Sequence, residues 1–390
     1  MVVYGVMSAF LAPRLMAGGI EIIPLGTSEY ATTGSTVPLG PVSSNMTQSI
    51  YLTADMICFV FVVAIASTEE GFRAVVGGLI AYVVANIFFA MLDLATYATG
   101  TQDLLAFMRN ARYTLHIEEE VSGLKRIVGS FTEASAFART TLGCLAFTGT
   151  LWLCGWRPAL TGALAATSLV LVVVSTSSAG LAGLPVVLVL LYVAALRLNA
   201  RRASFGGAAF ILLAPLLAGI GIVAVLLNGD ASAAIGDYID TVVLNKFNTD
   251  SGIQRSSWNT IAFQNFVDSW GLGVGLGTVR TSSLLVALLS NLGVLGVAFY
   301  GLFAYSAFLR PHGGTPAGSR TFAGDVRLAA SNACFGLIVA DLLVCPVVEQ
   351  GLFFYILAAI ASARPMPQAA GVPRPASFVG RLGAQYAHAR

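Results

Sequence analysis

"GALAATSLVLVVVS", residues 162–175, runs for 14 positions without a charge and without apolar/polar alternation. That excludes a strand of a membrane barrel, whose segments alternate over about 10 residues, and leaves a helix in an apolar surround. Comparable runs recur along the chain. Of 390 residues, 56% are hydrophobic and only 10% charged, with a mean hydropathy of +0.80, against roughly 25% charged in an ordinary soluble domain. A water-soluble globule is excluded. Runs of about 20 apolar residues match a hydrocarbon core of about 30 Å when helical, so the expected fold is all-α, a polytopic membrane protein.

Ten membrane segments are expected, near 3–23, 49–66, 73–92, 136–154, 157–175, 180–196, 206–227, 283–309, 328–345 and 347–363. Threaded alternately, they place Arg73, Arg157, Arg197, Arg201, Arg202, Arg310, Arg320, Arg327, Arg364, Arg374, Arg381 and Arg390 on one face, 12 of the 21 basic residues. The positive-inside bias of short loops makes that face cytoplasmic, with both termini inside. Residues 1–363 then form a single transmembrane domain and 364–390 a disordered cytoplasmic tail. Met1 opens an apolar run with no basic flank or small-residue cleavage site, which reads as insertion without cleavage. The first segment contains Pro13, Arg14 and Glu21, and the last two form a hairpin broken at Pro346.

Three long segments fall on the outer face: 24–48, 93–135 and 228–282. The first, rich in Thr, Ser, Gly and Pro, reads as an irregular loop. In the second, Leu104, Met108, Ala111 and Leu115 share one helical face, the pattern of a helix lying in the interface. The third has helix-like stretches near 231–246 and from Asp250 and Ser251, as N-caps, to the glycines at 271, 273, 275 and 277.

A net charge of +2 is too small to imply a nucleic-acid partner, and no basic stretch long enough to bind a phosphate backbone occurs, so none is expected. Cys58, Cys144, Cys154, Cys334 and Cys345 lie in or beside apolar runs with no CxxC pair, and His116, His312 and His388 are scattered. Neither a metal site, a disulfide framework nor a Ser/His/Asp triad is expected, and no cofactor is implied.

Arginines on the outer side carry the functional signal, because the cytoplasmic bias depletes that face of them. Arg255 and Arg280 bracket the glycine-rich turn, and Arg126 and Arg139 bracket the start of the fourth membrane segment. A guanidinium offers a planar fork matched to phosphate oxygens and keeps its charge in a low-dielectric vestibule. The ligand class is an anion, most simply a phosphate or diphosphate; pairing with Glu133, Asp268 or lipid headgroups is the plain alternative. "GLGVGLGTVR", 271–280, reads either as a nest of backbone N–H groups for an oxyanion, with Gly273 and Gly275 at its centre, or as a flexible hinge. Glu133, in the first turn of a helix capped by Ser130 or Thr132, is either a dipole-favoured carboxylate or an acid/base and sugar-hydroxyl ligand. Trp258 stands one turn from Arg255 and either stacks on a sugar ring or anchors its helix at the interface; Asn259, at i+4, shares that face. Asp55 and Asp341, inside apolar segments, are functional suspects by default.

Four stretches together resemble the O-antigen polymerase and O-antigen ligase superfamily, within it the Wzy-like exopolysaccharide polymerases: "RIVGSFTEASAFA" from Arg126, "STSSAGLAGL" from Ser175, "RSSWNTIAFQNFVDSWGLGVGLG" from Arg255 and "LLVALLSNLGVLGVAFYG" from Leu284. Fifteen residues separate Arg255 from Gly271, similar to an Arg-x15-Gly motif of such polymerases. The ligase branch carries a His-Asn-like pair where this chain has Ser282 and Ser283, a departure that argues against a ligase mechanism and leaves no evident general base. The resemblance implies a metal-independent membrane glycosyltransferase of the bacterial inner membrane. It would act at the periplasmic face on polyprenyl-diphosphate-linked oligosaccharide, among membrane lipids, with a flippase and a chain-length regulator as partners. Arg255, Arg280 and Glu133 would be catalytic; Arg126, Arg139, Trp258, Asn259, Gly273, Gly275, Ser282 and Ser283 would bind substrate. Ligase-type transfer to another acceptor, and transport of a lipid-linked sugar, are the alternatives.

Overall fold

The computed structural model describes residues 1–28, 36–109, 120–121, 124–201, 205–229, 232–233, 236, 250–310 and 321–365. Among them are eleven α-helices: α1 (Val2–Leu15), α2 (Ser43–Ile65), α3 (Glu69–Thr99), α4 (Ala134–Leu153), α5 (Pro158–Val174), α6 (Ser178–Arg201), α7 (Phe205–Leu227), α8 (Asp250–Asp268), α9 (Leu284–Ala304), α10 (Phe322–Val344) and α11 (Leu352–Ser362). Two short antiparallel hairpins join β1 (Glu21–Ile22) to β2 (Val37–Pro38) and β3 (Glu120–Val121) to β4 (Leu124–Lys125). The chain is an all-α membrane protein: α2, α3, α6, α10, and α9 with its π-helical extension to Leu309, are each long and apolar enough to cross a bilayer.

A helix lies in each of the ten expected segments, but the first and last differ from expectation. α1 stops at Leu15, where Pro13, Gly18 (φ 74) and Gly19 turn the chain into β1. At 11 residues, α11 is about 16 Å long and cannot cross a hydrocarbon core alone. The 24–48 segment is not wholly irregular, since it holds β2 and the start of α2. Of the expected interfacial helix, Gln102–Leu105 forms a 3-10 turn; residues 110–119, with His116, lie outside the described residues. So do almost all of 231–246, His312, and the tail beyond residue 365 with His388.

The bundle is organised around α4, of whose 20 residues 17 are buried. A helix so enclosed must hide its polar groups internally, and it does. The Thr141, Thr148 and Thr150 hydroxyls donate to carbonyls four residues back at 2.7–2.8 Å, and Thr141 and Thr150 also accept from Asn86 of α3 and Asn332 of α10, so the buried hydroxyls are satisfied. Gly143 and Gly149 admit Leu337 of α10 and Leu191 of α6 at near-contact distance, the small-residue packing that lets helices approach in lipid. Large apolar side chains line the periphery instead, among them Phe61, Phe88, Leu212 and Leu302.

At one end of the bundle, Arg73 pairs with Glu69 and lies 4.8 Å over the Phe322 ring, Arg157 stacks 5.1 Å from Trp156, and the Arg327 Nε donates to Ala361 O at 3.0 Å. The other end gathers α8, both arms of the β1–β2 hairpin, the starts of α2, α4 and α9, and the loop 345–351 between α10 and α11.

Candidate functional site

The glycine run leads into the site and is itself closed. Gly271, Gly273, Gly275 and Gly277 have φ of 78, 78, 106 and 76°, left-handed values that glycine adopts freely. Their loop docks into a break in α9, where Gly293 leaves the helix at φ 66°. Val274 N and Gly275 N donate to Ser290 O and Asn291 O, and Val294 N returns a bond to Gly271 O. Gly273 N donates to Ser269 Oγ, Leu276 N to Ser8 Oγ, and Thr278 N and Val279 N to Asn291 Oδ1. A Cβ on Gly273 would lie 2.6 Å from Gly293 N, and one on Gly275 would lie 2.8 Å from Pro13. These N–H groups are spent on protein acceptors, so the oxyanion-nest reading is corrected, and so is the hinge. Gly273 and Gly275 are buried packing positions.

Beyond this knot the chain emerges at Arg280, an exposed side chain whose backbone N–H is fixed to Ile23 O at 2.9 Å. Its guanidinium lies 4.7 Å from the ring centroid of Trp258. A cation over an indole is attracted by the ring and keeps its N–H donors for other acceptors. No protein acceptor takes them among the described residues. One face of the indole is thereby covered by Arg280, which leaves at most the other for a sugar.

Arg255, Trp258 and Asn259 share one face of α8, as their spacing predicts. Arg255 Nη2 stands 3.4 Å from Glu133 Oε2, both side chains being partly exposed at 27% and 34%. A long pair open to water is worth at most about 1 kcal/mol, so an incoming anion can displace it. Glu133 is the N-cap residue of α4 rather than part of its first turn, yet its carboxylate makes no capping bond. It accepts instead from the Ser135 hydroxyl and from Arg255. Asn259 and Ser282 hold each other through Ser282 N to Asn259 Oδ1 at 2.8 Å and Asn259 Nδ2 to Ser282 Oγ at 3.2 Å. They position the Arg280 segment against α8. Ser283 is the uncapped N-cap residue of α9.

Arg139 lies six residues into α4, and its fork is already occupied. It binds Asp341 of α10 through Nε and Nη2, and Nη2 also donates to Gln350 O at 2.9 Å. Gln350 Nε2 donates to Asp341 Oδ2 at 2.6 Å and its Oε1 accepts from Tyr300 at 2.6 Å. Arg139 therefore ties α4 to α10 and to the loop before α11 and is not an open anion ligand, and Asp341 is its counter-ion. Arg126 stands half-buried between Lys125 and Val128. Those neighbours bind the buried Asp93, through Nζ at 2.6 Å and backbone N–H at 2.9 Å, and Arg109 joins them at 2.7 Å.

The loop 345–351 completes the arrangement. Thr281 Oγ1 donates to Pro346 O at 3.1 Å, tying this loop to the Arg280 segment. Its Glu349 and Gln350 were not singled out from sequence. The signal was two consecutive polar residues inside an otherwise apolar Pro-broken hairpin. All five cysteines are free thiols, and no cluster of three metal-ligating side chains occurs among the described residues. The chain matches no protein-family profile, no curated protein and no solved structure.

Proposed function

We propose that the protein is a membrane glycosyltransferase that polymerises polyprenyl-diphosphate-linked repeat units. A hydroxyl of one unit attacks the anomeric carbon of another, the bond to the diphosphate oxygen breaks, and the electron pair leaves with the polyprenyl diphosphate. The anomeric carbon inverts. Arg255, releasing Glu133, and Arg280, held over Trp258, meet the charge that builds on the departing oxygen. Donors placed for that charge stabilise the transition state more than the ground state, typically by about 3 kcal/mol each. The observation that carries this reading is that Arg280, which lies over Trp258, spends no guanidinium N–H on a protein acceptor among the described residues, while Arg255, one turn before Trp258 on α8, holds only a long contact to Glu133.

In this reading the helix bundle sits in a bacterial inner membrane, with α11 entering it without crossing alone. The end bearing Arg73, Arg157 and Arg327 faces the cytoplasm with both termini, and the arginine site faces the periplasm. Membrane lipids, a flippase and a chain-length regulator are the partners it calls for. The test is incubation of purified protein with a synthetic polyprenyl-diphosphate oligosaccharide. A ladder of products is expected, and Arg255→Lys, a fold-neutral change, should lose most chain extension. Full-length polymer from that variant sinks the diphosphate-clamp role; a single addition without a ladder indicates ligase-type transfer, and no product at all indicates a carrier.

A further inference from the structure

Asp55 sits 12 residues after the first residue of α2, about 18 Å along its axis, and is 2% exposed. Its Oδ2 atom receives no hydrogen bond. The carboxyl of Glu349 lies against it, within hydrogen-bonding reach. Around the pair stand Cys58 from α2, Tyr355 from α11, Arg139 from α4 and Asp341 from α10. The single cation in that shell already serves Asp341 and Gln350 O. Two carboxylates in contact within a low-dielectric bundle repel strongly, and one proton between them removes the repulsion and fills the vacant acceptor.

We propose that Asp55 and Glu349 share a proton and together form the proton acceptor of the transfer reaction, with Glu349 taking the proton of the attacking sugar hydroxyl. The inference rests on the glycosyl-transfer reading above. Glu349 is the half-exposed member, on the loop that Thr281 ties to the Arg280 segment. Glu133 is less suited, because its carboxylate already accepts from Arg255 and the Ser135 hydroxyl. In the step, the hydroxyl O–H bond breaks and its proton passes to the pair. The oxygen forms the new bond to the anomeric carbon, and the diphosphate leaves with the old bond's electrons. The pair, then holding two protons, returns one to water.

Infrared difference spectroscopy of the purified protein at neutral pH tests the shared proton without reference to activity. A protonated-carboxyl stretching band is expected in the wild type and should vanish in both Asp55→Asn and Glu349→Gln. A band that survives in both variants overturns the pair. In the ladder assay, Glu349→Gln should slow extension by roughly 100-fold or more. If the wild type makes no ladder while the band behaves as expected, the polymerisation reading falls and the proton-sharing pair stands. If the ladder forms and Glu349→Gln keeps the wild-type rate, the proton-acceptor role falls and the polymerisation reading stands.

Discussion

The glycine knot and the arginine site lie within a few residues of each other in sequence, both dense in hydrogen-bonding groups, and they differ in where those groups are spent. In the knot, the N–H groups of 273–276 and 278–279 find carbonyls or side chains of α1, α8 and α9. At Arg280 and Arg255, one guanidinium is stacked and the other holds a single long contact. Polarity alone does not mark a binding site; surplus donors do. The Asp93 cluster makes the same point, because a buried carboxylate there meets four donors and has nothing left for a ligand.

That contrast predicts stability effects in one region and kinetic effects in the other. Gly293→Ala should be the most damaging: its Cβ would fall 2.3 Å from Gly271 O at a φ of 66°, with strain and overpacking together costing about 3 kcal/mol or more. Thermal unfolding in detergent should show loss of folded protein; a wild-type transition would mean that the knot is not closed. Arg280→Ala should leave that transition in place while reducing polymer formation about 100-fold, and an unchanged rate would remove Arg280 from the site. Trp258→Ala should free Arg280 to swing, lowering the rate by roughly 3- to 10-fold through a lost cation–π contact of about 1 kcal/mol; the split between kcat and KM reads whether positioning or binding suffers. Glu133→Gln is the smallest change, with under about 1 kcal/mol of stability lost and tighter diphosphate binding by titration, because the competitor for Arg255 has lost its charge. Weaker binding would instead make Glu133 part of the donor site.

Hydropathy made most of the fold legible, since uncharged apolar runs have few options besides helix. It failed at the first and last helices of the chain, where Pro13 with Gly18 and Gly351 (φ 81) shorten helices inside runs that remain apolar. In the site, what lies within one helical turn was readable: Arg255, Trp258 and Asn259 share a face as their spacing says. Pairings across the fold were not, because Arg255 with Glu133 spans 122 positions and Arg139 with Asp341 spans 202, and no local periodicity encodes either. The glycines were ambiguous for a different reason. A glycine that lets a phosphate approach and one that lets a broken helix approach are the same residue, and only the neighbouring backbone at Gly293 distinguishes them.

The docking of 271–277 into α9 also determines how α8 can move. Asn265 binds Glu21 O at 2.7 Å and the turn beyond it is locked, so the helix is anchored at its C-terminal end. Asn259 is tied to Ser282 as well, so Arg255 lies four residues beyond the last tie, an arm of about 6 Å at 1.5 Å per residue. A tilt of about 10° on such an arm shifts the guanidinium by about 1 Å, so trading one carboxylate for another anion falls to rotation of the long Arg255 side chain while the helix stays in place.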